Sequence, residues 1–106
     1  MRENKYQAGL IKRIKERFEG SMVLKNDANY IQGIPDLLVL HKDHWAALEC
    51  KQDKSSSKRF NQEHYISKMN DMSYASFISP DNEEEVLDAM EQAFTSRRSA
   101  RVSRRK

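Results

Sequence analysis

Apolar residues near the start of the chain fall at Tyr6, Leu10, Ile11, Ile14 and Phe18, with polar residues between them. That spacing predicts an amphipathic helix from about Lys5 to Phe18, and Gly20 stands where such a helix stops. The pattern then changes to short apolar runs. Met22-Val23-Leu24, Leu37-Leu38-Val39-Leu40 and Trp45 to Lys51 read as three strands. A polar connection from Lys25 to Gly33 separates the first two, with Gly33 and Pro35 as punctuation. A tight turn, His41 to His44, joins the second to the third. Helical spacing returns from Phe60 to Met72, with Tyr65, Ile66, Met69 and Met72 on one side. Ser76-Phe77-Ile78 reads as a fourth strand, ended by Pro80. Asp81, with Glu84 three residues on, predicts a capping box for a last helix. Val86, Leu87, Met90, Ala93 and Phe94 form its apolar face. The order is α-β-β-β-α-β-α, an α/β fold in outline.

Composition narrows this picture. A chain of 106 residues suits one small domain. With 38% hydrophobic and 33% charged residues its core is thin, so self-association would supplement it. No apolar run approaches the roughly 20 residues that span a bilayer. The polar start, Met1 to Lys5, carries no secretory leader. The single cysteine, Cys50, excludes an internal disulfide and a cysteine-rich zinc site. There is no glycine-rich phosphate loop and no Ser-His-Asp spacing. The expectation is a cytoplasmic protein with no membrane partner and no nucleotide cofactor.

The net charge of +3 hides an asymmetry. Arg97, Arg98, Arg101, Arg104, Arg105 and Lys106 place six positive charges after residue 95; the chain's +3 less these six leaves the rest at −3. We therefore divide the chain into a domain, 1–95, and a basic tail, 96–106, expected to lack fixed structure and to hold a polyanion such as DNA without sequence preference.

The chemistry lies in Pro35-Asp36 and Glu49-Cys50-Lys51. Alternate residues of a strand share a face, which puts Glu49 and Lys51 together and turns Cys50 the other way. Antiparallel pairing through a two-residue turn centred between Lys42 and Asp43 sets Asp36 directly across from Glu49. Two carboxylates so close repel unless a cation lies between them. Their hard oxygens suit Mg²⁺ or Mn²⁺, with the Cys50 carbonyl as a further ligand. Lys51 adds a positive charge, or a base, beside an attacking water. Gln62, on the apolar side of its helix, is placed to orient the site, and Gln7 or Glu3 on the first helix to complete it. Lys54, Lys58 and Arg59 follow on a loop suited to the phosphate backbone. His41, His44 and His64 read as surface residues, and Cys50 as a small core residue.

Gly33-Ile34-Pro35-Asp36, Leu48-Glu49-Cys50-Lys51 and Asn61-Gln62 together resemble the VRR-NUC family of PD-(D/E)XK nucleases, in particular its stand-alone, phage-encoded members. The resemblance runs from the first helix to about Phe94 and includes Ser79 to Leu87. It implies a restriction-endonuclease-like core with a central mixed sheet flanked by helices. It further implies Mg²⁺- or Mn²⁺-dependent hydrolysis by homodimers that cut branched DNA such as Holliday junctions, in the host cytoplasm for a phage-encoded member. By position, Asp36 and Glu49 match the metal-binding acids, Lys51 the catalytic lysine and Gln62 the family's glutamine. The family's acid on the first helix is replaced here by Gln7, with Glu3 one turn earlier. That departure favours the rival reading, an inactive nuclease scaffold that binds branched DNA or a host protein.

Overall fold

The computed structural model describes residues 3–53 and 56–104, with residues 3 and 96–104 by backbone alone. Helix α1 (Glu3–Arg17) is followed by strands β1 (Met22–Lys25), β2 (Leu37–His41) and β3 (His44–Cys50), helix α2 (Phe60–Met72), strand β4 (Tyr74–Ile78) and helix α3 (Glu83–Arg104). The element order is the one the hydrophobic pattern predicts. The strands form one mixed sheet in the order β1-β2-β3-β4. The first three are antiparallel neighbours, while β3 and β4 run parallel and are joined through α2.

The β2–β3 register pairs Leu37 with Leu48 and His41 with His44, as the two-residue turn requires. Lys42, the first residue of that turn, takes a left-handed φ of 60°. Leu37, Val39, Ala46, Leu48 and Cys50 face one side of the sheet. There they meet Tyr6, Leu10 and Ile14 of α1, Phe18 just beyond it, and Val86, Leu87, Met90 and Phe94 of α3. The opposite face is covered by α2 over β3 and β4 only. α2 therefore has no fully buried residue, and Met22 and Leu24 of the edge strand β1 stay exposed.

Several local expectations are corrected. β4 begins two residues early, at Tyr74, where the Ala75 N–H donates to Asn70 Oδ1 at 3.0 Å. The last helix is capped by Asn82 rather than Asp81, since the Val86 N–H donates to the Asn82 carbonyl at 2.9 Å. The Asn82 side chain turns back into the loop and accepts from the Ser79 N–H at 2.8 Å. α3 has no Gly or Pro to stop it and runs to Arg104, so the backbone of the basic segment is helical as far as that residue. His41 and His44 are half-buried, because the β2–β3 turn folds onto the end of the core. His44 stacks on Phe94 at 5.3 Å, and His41 meets Phe18 edge-on at 5.7 Å.

Candidate active site

The β2–β3 register carries the ladder one step past Leu37, to Asp36 and Glu49. Their side chains leave the face opposite the main core, at the end of the sheet where α2 begins. The Asp36 N–H donates to Glu49 Oε1 at 3.2 Å. The Asp36 carboxylate accepts from the Cys50 N–H through Oδ2 at 3.0 Å. The Cys50 side chain points into the core, as its place in the strand predicts.

Asp36 is fixed from its other side by Asn26, a residue the sequence reading passed over. Its N–H donates to the Asp36 carbonyl at 2.8 Å, and its side-chain amide to the Pro35 carbonyl at 2.8 Å. Asn26 and Asp36 have the same index sum as the β1–β2 pair Met22 and Leu40, so the first hairpin's register extends to them. Gly33 sets the depth of this segment. A Cβ at Gly33 would lie 2.5 Å from Asn61 Cβ, and its φ is +90°. The loop before Asp36 is thus pressed against the first turn of α2, which carries Gln62.

Gln62 joins the two charged residues of β3. Its Oε1 accepts from Lys51 Nζ at 2.8 Å and from the Arg59 N–H at 3.2 Å. Its Nε2 donates to Glu49 Oε2 at 2.9 Å. These partners fix the amide's orientation, since a lysine and a backbone N–H can only donate and a carboxylate only accepts. The Arg59 contact is also the reach-back that satisfies an orphan donor at the start of α2. Lys51 Nζ lies 3.9 Å from Glu49 Oε2, and the Lys51 N–H continues the β3–β4 pairing to the Ile78 carbonyl at 2.8 Å.

Glu49 is only 4% exposed. Burial pushes the Asp36 carboxyl above its usual range, against the opposing pull of the Cys50 N–H and the Lys51 charge. The four side chains floor an open polar cleft of about 810 Å³. Asn4, Gln7 and Arg59 also line it. Asn4, one turn before Gln7 on α1, is the second residue the sequence reading missed; helical spacing from Gln7 was the signal for it.

The remaining expected residues are spread more widely. Lys58 lies behind Lys51, over the ring of Phe77. His64 is exposed on the outside of α2. For Glu3, Arg97, Arg98, Arg101 and Arg104 only the backbone is described, and Lys54, Arg105 and Lys106 lie outside the described residues. Among the described residues, no cluster of three or more His, Cys, Asp or Glu is placed to hold a metal ion. None of the described helices is long and apolar enough to cross a membrane.

No protein-family model matches the chain, and no curated protein matches it. A solved structure described as a VRR_NUC domain is similar to it, with a TM-score of 0.54 and 24% sequence identity over 83% of this chain and 89% of that one. The chain has the α/β fold of a VRR_NUC domain.

Proposed function

We propose that this chain is a VRR-NUC nuclease, a divalent-cation-dependent endonuclease that hydrolyses phosphodiester bonds of DNA. Its preferred substrate is branched DNA such as a Holliday junction, and it acts as a homodimer in the cytoplasm. One observation carries the reading: Asp36, Glu49, Gln62 and Lys51 form a continuous hydrogen-bonded unit on the floor of an open polar cleft.

The donors present fit Mg²⁺ or Mn²⁺. Asp36 and Glu49 offer hard oxygens, to which the Cys50 carbonyl would add a third, and no thiolate or imidazole is among the described residues that line the cleft. A half-buried Asp36 held above the usual carboxylate range is a group that gains from a neighbouring cation. When bound, such a cation supplies Lewis-acid polarisation of the scissile phosphate and lowers the pKa of water.

The chain's own groups do the rest. Gln62 holds the Lys51 ammonium and the Glu49 carboxylate at fixed positions. Lys51 then positions the attacking water by donating a hydrogen bond, or stabilises the charge of the phosphorane. Gln7, supported by Asn4, presents neutral amides to the same cleft. Arg59 and Lys58, with Lys54, contact the phosphodiester backbone. The basic segment, Arg97, Arg98, Arg101, Arg104, Arg105 and Lys106, holds the strands without reading their sequence. A second copy covers Met22 and Leu24, which are 58% and 41% exposed. Two such sites match the two strands cut in a symmetric junction.

The test is a labelled four-way junction incubated with Mg²⁺, Mn²⁺ or chelator, beside linear duplex and single strands. Metal-dependent products from the wild type and none from Lys51→Ala support the reading. Undiminished cutting by Lys51→Ala overturns the mechanism. Gln7, an amide in the cleft wall, favours a second reading, a binding scaffold without useful catalysis. Junction binding with no metal-dependent product selects it.

A further inference from the structure

Phe77 is the partner of Glu49 in the parallel β3–β4 register. Its ring therefore leaves the sheet on the face that carries the candidate site. Two ammonium groups gather on it. Lys51 Nζ lies 5.9 Å from the ring centroid and Lys58 Nζ 5.3 Å. Both distances fall within the reach of a cation–π contact. The three residues also share a small cavity of about 40 Å³ behind the cleft, with Asp53 in its wall. Lys51 is thus the partition between the cleft and this cavity.

Two like charges near one another repel, and a lysine on a loop loses rotamer freedom when it is held. An aromatic face offsets both costs, because its quadrupole attracts each ammonium without neutralising either. An aliphatic side chain of similar size would fill the space without attracting either ammonium. Gln62 and Glu49 hold Lys51 from the cleft side, and the ring holds it from behind.

We propose that Phe77 is a positioning residue that seats Lys51 with Lys58 behind it, so that a substrate phosphate entering the cleft meets Lys51 backed by the charge of a second cation. The assignment rests on the nuclease reading for its catalytic consequence, while the seating itself is a property of the folded chain.

Two measurements on the full chain test it. In the first, the Hε resonances of Lys51 and Lys58 are recorded by NMR and assigned with Lys51→Arg and Lys58→Arg. The ring current moves both upfield of the other lysines, Phe77→Leu returns both, and Phe77→Trp keeps them shifted. In the second, junction cleavage is followed at matched thermal stability. Phe77→Leu lowers kcat/KM by about three- to thirtyfold, the range of a partly desolvated cation–π contact, and Phe77→Trp restores it. Wild-type Hε resonances that coincide with those of solvated lysines overturn the proposal. So does a folded Phe77→Leu that cuts at the wild-type rate. Should Phe77→Leu fail to fold, the wild-type spectrum decides alone. Upfield lysine resonances in a wild type that cuts no DNA uphold the seating and locate the failure in the nuclease reading.

Discussion

Asp36 and Glu49 grip each other through the backbone: the Asp36 N–H donates to the Glu49 carboxylate at 3.2 Å, and the Asp36 carboxylate takes the N–H of the residue after Glu49 at 3.0 Å. Each acid is thereby held by the strand that carries the other. This frame fixes the pair's geometry at a cost, since half-burial holds the Asp36 carboxyl above its usual range.

That cost gives a first expectation. An acid whose folded-state pKa is raised loses stability as pH rises through its titration, so ionised Asp36 weakens the fold at neutral pH. Asp36→Asn keeps the shape and an acceptor for the Cys50 N–H. Cleavage is abolished while thermal stability at pH 7 is unchanged or higher by up to ~1 kcal/mol. Junction assays and melting curves on the same preparation check both halves.

Gln62 carries two burdens at once, and its loss has two signatures. Gln62→Leu removes the partner of Lys51, the partner of Glu49 and the reach-back at the start of α2. A fall in kcat of about 10–100-fold is expected, the scale found when an outer partner of a metal ligand is removed. A stability loss of about 1–2 kcal/mol accompanies it. Urea unfolding separates the second effect from the first.

Gly33 has no room for a side chain. Gly33→Ala combines a left-handed φ with a contact 2.5 Å from Asn61 Cβ. The expected destabilisation is about 2–4 kcal/mol, from backbone strain and overpacking together. Because the loop bearing Asp36 or the start of α2 must yield, cleavage falls even at temperatures where the variant is folded.

The β2–β3 turn offers the opposite outcome. Lys42 holds a φ of 60° without the freedom of glycine. Lys42→Gly relieves that strain and is expected to stabilise the chain by about 0.5–1 kcal/mol, with cleavage unaffected. A lower melting temperature would contradict the strain argument.

Glu83 supplies a pH-dependent contribution far from the site. Burial works against its charge, but hydrogen bonds from Arg13 at 2.6 Å and Tyr6 at 2.8 Å outweigh it and hold the carboxyl below its usual range. A lowered carboxylate stabilises the fold above the unfolded pKa of about 4.3, and the benefit disappears as pH falls through the folded value. Glu83→Gln therefore costs about 1–2 kcal/mol at pH 7, toward the low end because Arg13 is nearly half exposed. Melting curves from pH 8 to pH 3 should show the two proteins converging below about pH 4.

The relation between Asp36 and Glu49 was legible in the sequence for a simple reason. A two-residue turn leaves one register, and strand alternation then assigns every side chain a face. Asn26 obeys the same arithmetic on the neighbouring hairpin. The eleven residues between β1 and β2 mark no unique centre, however, so its place opposite Asp36 emerges only once the pairing is seen. Asp81 and Asn82 are equally good capping residues. The choice between them is made by hydrogen bonds to Ser79 and Phe77, which no local pattern encodes. The half-burial of His41 and His44 depends on where Phe94 arrives from the far end of the chain, and Phe77's place beside Glu49 depends on the path of α2.

The parallel pairing of β3 with β4 has a consequence for assembly. Parallel neighbours cannot be joined by a hairpin, so the chain must cross over through α2 to reach the last strand. A copy that has formed only its first three strands already aligns both acids, yet nothing tethers the ammonium beside them. The link from Gln62 to Lys51 and Glu49 therefore forms only with the crossover that lets the sheet close.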